Sequence, residues 1–310
     1  MSKTSEMRSG AGLAEAVAAA PAAPAATAPA AEPAPGLGPA HLLRALWAVV
    51  QRELLKFSRQ YGRLVSALVR PVLWLAVFAA GFRNVFGVSI VEPYDTYIPY
   101  DVYIVPGLVG MVLLFNGMQS SLAMVYDREM GLMRLLLTAP LPRPWLLFAK
   151  LAATAVLSLL QASAFVLVAL LLGTELPIWS PTLPMTLLAT VCAAVMLGAL
   201  GLLLSVYVKQ LENFAGTMNF VIFPMYFLST ALYPLWKLEE SGARWVYEAA
   251  RFNPFTHAVE WIRFAMYGKD PGWAPWIVLG CALAFFVVAC AGYDPQRGFG
   301  GLAKRGGGGS

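Results

Sequence analysis

The chain has 310 residues, 59% of them hydrophobic and 13% charged, and its mean hydropathy of +0.65 is too high for a soluble domain of this length. The net charge of +5 does not mark a nucleic-acid-binding patch, because the basic residues stand beside the ends of apolar runs and are not gathered with aromatics. Cys192, Cys281 and Cys290 all lie inside apolar runs and are odd in number, so they read as packing residues and not as a disulfide framework.

Residues 1–40 are dominated by Ala and Pro, which remove helix donors and offer little surface to bury, so a disordered tail is expected there. It has no long apolar stretch after a basic start and does not read as a cleaved signal. Residues 41–62 carry an amphipathic helix. Leu43, Leu46, Trp47, Val50, Leu54 and Phe57 recur at helical spacing, while Arg44, Gln51, Arg52, Lys56 and Arg59 take the other side. A basic polar face suits a helix lying in a headgroup region; a surface helix packed on a soluble core would share the pattern, but no soluble core is visible nearby.

Six apolar segments follow within residues 63–293: Leu64–Phe86, Tyr103–Val125, Trp145–Leu172, Leu183–Val208, Phe214–Trp236 and Trp273–Ala291. The predicted fold is an all-α polytopic membrane protein with six transmembrane helices. Arg70 falls about two turns into the first, near enough to its start for the side chain to snorkel back to the phosphates. Lys and Arg fix the orientation. With both termini in the cytoplasm, the inner face collects Arg44, Arg52, Lys56, Arg59, Arg63, Arg70, Arg128, Arg134, Arg143, Lys150, Lys209, Arg297, Lys304 and Arg305, and the outer face far fewer. Residues 294–310 are a cytoplasmic tail ending in a Gly-Ser linker.

The inner connection of residues 127–143 begins Asp127-Arg128-Glu129 and ends near Pro140 and Pro142. Its carboxylates suit the start of a short helix, where they would meet the positive end of the backbone dipole, and the prolines would stop it. Exposed Leu132, Met133, Leu135 and Leu136 need either a protein partner or the membrane surface to cover them. The outer connection of about residues 237–272 contains Asn253-Pro254, a turn into a helix whose Phe255, Ala258, Val259 and Ile262 share one face. A re-entrant or surface helix is expected there, tolerable at membrane depth only if protein or a water-filled cavity receives its backbone.

These features together resemble the permease subunits of the ABC-2 family of bacterial exporters, the type V exporter architecture. The resemblance rests on the amphipathic helix, Val105-Pro106-Gly107, the run from Asp127 through Glu129, Gly131 and Pro140 to Arg143, and Tyr233-Pro234 followed by Asn253-Pro254 and Arg263. Ala149 before Lys150, and Lys237-Leu238-Glu239 after the Tyr-Pro pair, depart from the family pattern. The resemblance implies that Asp127, Arg128, Glu129, Gly131, Arg134, Pro140 and Arg143 form a coupling helix docked on an ATPase. Arg44, Arg52, Lys56 and Arg59 would belong to an interface helix beside it. It implies as partners two separate ATPase subunits, a second permease copy and membrane lipid, in a bacterial inner membrane. ATP and Mg would be held by the ATPases and no cofactor by this chain, which lacks Gly-x-x-x-x-Gly-Lys-Ser/Thr.

Intramembrane polar groups usually face a bundle interior, which makes Asn116, Gln119, Asn219, Phe223, Tyr226 and Phe227 candidates to line a pathway. Interhelical hydrogen bonding and ordinary packing would explain the same residues. Tyr94, Tyr97, Tyr100 and Tyr103 recur every third residue as an aromatic belt, a surface on which a sugar-bearing or aromatic cargo could also stack. His41 and His257 have no companions that would make a metal site. A secondary transporter or an integral membrane enzyme is the rival class. Against it, no Asp, Glu or His lies well inside a span, and no convergent catalytic set is visible.

Overall fold

The computed structural model describes residues 38–59, 61–82, 93–94, 98–130, 142–177, 181–208, 210–240 and 242–293. The elements among them are helical: α1 (Pro39–Ser58), α2 (Tyr61–Phe82), α3 (Tyr100–Glu129), α4 (Arg143–Leu171), α5 (Leu183–Tyr207), α6 (Leu211–Phe227), α7 (Leu235–Glu240), α8 (Arg244–Phe252), α9 (Pro254–Met266) and α10 (Ala274–Gly292). Prolines stand in the first turn of α1, α4, α5, α9 and α10, where a missing N–H costs nothing.

Helix α3 is the axis of the bundle. Every side chain from Val102 to Leu114 is buried, and α2, α4, α5, α6 and α9 all pack on it. Its crossing with α5 brings backbone against backbone: a Cβ on Gly201 would sit 2.7 Å from the Gly117 carbonyl oxygen. Small residues allow this because helices in lipid associate through close packing and not through hydrophobic exclusion. Helix α10 lies outside on α5 and α9, turning Trp276, Leu279, Leu283 and Val287 outward.

Four helices among the described residues are long and apolar enough to cross a membrane: α3, α4, α5 and α10. The sequence predicts six. The two remaining segments are helical, but α2 has only a shorter apolar stretch, Val65–Phe78, and α6 has 17 residues, about 25 Å of helix. Both present polar groups outward, with Ser66 and Arg70 exposed on α2 and Asn213 and Asn219 on α6.

The predicted fifth segment runs to Trp236, whereas the helix ends at Phe227 and residues 228–234 form an irregular chain. Its groups are met from other elements. The Asn253 side-chain amide donates to the Met225 and Leu228 carbonyls, both at 2.7 Å. The Tyr103 hydroxyl and the Arg263 Nη2 donate to the Thr230 carbonyl at 3.0 and 2.8 Å, and the Tyr100 hydroxyl to Leu232 at 2.7 Å. Unwound backbone away from water persists only with such partners. Gly107 makes room for it, since a Cβ there would lie 2.7 Å from the Ala231 Cα.

Candidate functional site

Asp127, Arg128 and Glu129 close α3 and are not the first residues of a new helix. The helix runs past the predicted Val125 end because each of the three side chains finds a partner on a different element. Asp127, 9% exposed, lies 3.5 Å from Lys150 Nζ on α4 and 3.5 Å from Arg52 Nη2 on α1. Arg128 Nη2 donates at 3.0 Å to the carbonyl of Val208, the first residue past α5. Glu129 Oε1 accepts at 2.8 Å from the Leu211 backbone N–H, the first residue of α6. Glu129 does meet the positive end of a backbone dipole, as its charge predicts, but that of α6, which arrives from far along the chain.

Three consecutive residues thus fasten α1, α4, α5 and α6 to the end of α3. Lys150 is nearly enclosed, with its side chain 12% exposed, so Asp127 is the counter-charge its burial requires. Arg52 also lies near Glu53, and Glu53 near Lys56, extending the charge network along α1. Arg44 and Arg59 are exposed, as is Arg143 at the first position of α4. The Trp145 indole N–H donates to the Leu42 carbonyl at 3.1 Å and holds the start of α1 against α4. Leu43 and Trp47 remain outward on α1, 60% and 64% exposed. Gly131, Arg134 and Pro140 lie outside the described residues.

The predicted lining residues divide. Asn116 is buried and donates to Ser158 Oγ at 2.7 Å on α4, so its amide serves interhelical bonding. Tyr226 is buried against Trp74 and Phe255. Gln119 is half-buried beside Arg70, whose guanidinium lies 3.9 Å over the Phe115 ring. Asn219, Phe223 and Phe227 are exposed along α6.

At the opposite end of α3 lies a second charged group, built on Arg263, which the sequence marks as part of the family resemblance but to which it assigns no site. Arg263 on α9 is 2% exposed, pairs with Glu260, donates to Thr230 and stacks 4.1 Å over the Tyr103 ring. Burial opposes its charge, but Glu260, Tyr103 and Tyr94 outweigh it and hold the guanidinium protonated beyond its ordinary range. The signal was present in the Glu260-x-x-Arg263 spacing next to Val259 and Ile262, which buries an ion pair with the apolar face.

Among the described residues, a helical bundle with four apolar spans and a charged junction at one end is the construction of a membrane protein. Residues 44–267 match the family described as ABC-2 type transporter, and the chain belongs to that family. It is 28% identical over 230 residues to transport permease ycf38 of Porphyra purpurea, covering 74% of this chain and 76% of the relative. The ycf38 protein of Cyanophora paradoxa is 28% identical over 224 residues, 72% of this chain and 74% of the relative. Inner membrane transport permease YadH of Escherichia coli K12 is 23% identical over 248 residues, 80% of this chain and 90% of the relative. The chain is therefore a membrane permease of the ABC transporter class, and such permeases generally work with ATPase partners.

Proposed function

We propose that this chain is the membrane subunit of an ATP-driven exporter in a bacterial inner membrane, in which two copies enclose a path and two separate ATPase subunits hold ATP and Mg. The observation that carries this reading is the junction at Asp127–Glu129. It joins four other helices to α3 where the chain leaves for residues 131–141, so a push on that segment reaches α1, α4, α5 and α6 together. With residues 127–143 as the coupling segment on the cytoplasmic side, α1 is the interface helix. Its outward Leu43 and Trp47 dip toward the acyl chains, and both termini are inside.

Helices α2 and α6 complete six spans. On α6 the outward Asn219 would face hydrocarbon in a single copy, at the cost of desolvating its amide. A facing copy and a wet path between the two remove that cost. The path is then lined by Asn219, Phe223 and Phe227, an aromatic and weakly polar wall suited to an amphipathic, lipid-linked or glycan-bearing cargo.

The test pairs Glu129→Ala and Arg134→Glu in the membrane-inserted chain with pull-down of its ATPase and measurement of ATP turnover. Both substitutions are expected to weaken association several-fold. Unchanged association and turnover refute the coupling assignment, and full-rate transport or conversion by the chain alone would establish a secondary transporter or a membrane enzyme in its place.

A further inference from the structure

The end of the bundle remote from Asp127 holds a cavity of about 330 Å³, at the small end of the range for small-molecule sites. Tyr103 on its wall stands 24 residues before Asp127 on α3, about 36 Å of helix. Helices α7, α8 and α9, with Tyr94 and Pro234 outside any helix, supply the rest, and half of the lining residues are aromatic: Tyr94, Tyr103, Trp236, Tyr247 and Phe264. Three charged residues line it, Glu239, Glu260 and Arg263.

The charges decide what fits. Arg263 is committed through its terminal nitrogens to Glu260 and the Thr230 carbonyl and lies over the Tyr103 ring, so Glu260 balances its charge although its Nε–H is left without a partner among the described residues. Glu239 is exposed at the rim, and among the described residues no cation pairs with it. The cavity therefore carries one uncompensated negative charge beside aromatic faces. An anion would be repelled by Glu239, and a neutral ligand would gain at most a hydrogen bond from it and leave its charge unbalanced. A cation balances the charge and is attracted by the ring quadrupoles. The wall already contains one such arrangement, since Arg263 lies over Tyr103 with a carboxylate at its side. Trp236 accepts a second, with Lys237 Nζ 4.6 Å over its ring.

We propose that this cavity is a binding site for a small organic cation, an ammonium with an apolar body, seated among Trp236, Tyr247 and Phe264 with its charge toward Glu239 and Glu260. The cation arrives either free or as the headgroup of a lipid. The binding itself does not depend on the export reading. It needs no ATPase and is measured on the permease alone.

The experiment embeds the purified chain in nanodiscs of phosphatidylglycerol, which lacks an ammonium headgroup, and follows benzyltrimethylammonium by saturation-transfer NMR. Its uncharged carbon isostere, with a tert-butyl group in place of the trimethylammonium, is the control for shape, and benzoate the control for charge sign. Benzyltrimethylammonium is expected to bind, with affinity reduced about tenfold by Glu239→Gln, the equivalent of one charge-assisted contact. Trp236→Ala is expected to weaken it as well. Glu239 is exposed and Trp236 half-buried, and unchanged thermal unfolding of the two variants verifies their fold. No binding, equal binding of the isostere, or binding indifferent to both substitutions overturns the site. Adding phosphatidylcholine separates the sources: displacement of the probe identifies a lipid headgroup as occupant, and persistence identifies a free cation.

Discussion

Asp127 shows how much can depend on one side chain. It is the counter-charge of a nearly enclosed lysine, and removing one member of a buried pair leaves the other charge without compensation. Asp127→Asn is expected to destabilise the chain by about 3 kcal/mol, read as a lowered unfolding midpoint in detergent. Combining it with Lys150→Met removes the orphaned charge and is expected to recover most of that loss. If the double variant is as unstable as the single one, the pair is not what holds α4 to α3. Arg128 and Glu129 differ from Asp127 in kind. They bond backbone groups at the ends of α5 and α6, so the turn between those helices is held by side chains of a third helix.

Among the elements, α3 and the irregular chain after α6 depend on each other most. The 228–234 segment, buried at residues 229–232, has carbonyls that accept from Asn253, Tyr100, Tyr103 and Arg263, and it passes against Gly107 without room for a methyl group. Because the obstructing atoms are backbone and not a flexible side-chain tip, Gly107→Ala must displace either α3 or the segment. The expected cost is about 2 kcal/mol or more, seen as reduced thermal stability or poor recovery of folded protein. A variant as stable as the parent would mean that this contact is looser than described. Gly81 is the control, since a Cβ there meets nothing within 4 Å.

For the whole molecule, the outward faces of α6 and α10 differ in chemistry. Helix α10 presents Trp276, Leu279, Leu283 and Val287, an uninterrupted apolar surface suited to lipid. Helix α6 mixes Phe220, Phe223 and Phe227 with Asn213 and Asn219, a surface suited to a second copy and a wet path. Both faces can be tested by crosslinking after Cys192, Cys281 and Cys290 are replaced by serine. Phe220→Cys, at a position 79% exposed, is expected to give a disulfide-linked dimer on oxidation in the membrane. Leu283→Cys, at a position 66% exposed, is expected to remain monomeric. The reverse pattern would put the facing copy on α10 and leave α6 to lipid.

What the sequence determined by itself follows from period and composition. Apolar length separates helices from connections, and Asn253 before Pro254 marks the start of α9, where Asn253 accepts from the Phe255 N–H at 2.9 Å. The paired faces of α1 are legible because spacing along one helix is a local property. The ABC-2 family is legible because its motifs keep their order along the chain. Only the tertiary structure decided which polar groups meet. Lys150 and Asp127, Glu129 and Leu211, and Arg263 and Thr230 are pairs separated by 23, 82 and 33 positions. No periodicity records such distances, since each partner's pattern is satisfied by its own helix. The end of α6 at Phe227 and the division of Asn116 from Asn219 were hidden for the same reason: burial is set by what packs across a helix, and that neighbour is written elsewhere in the chain.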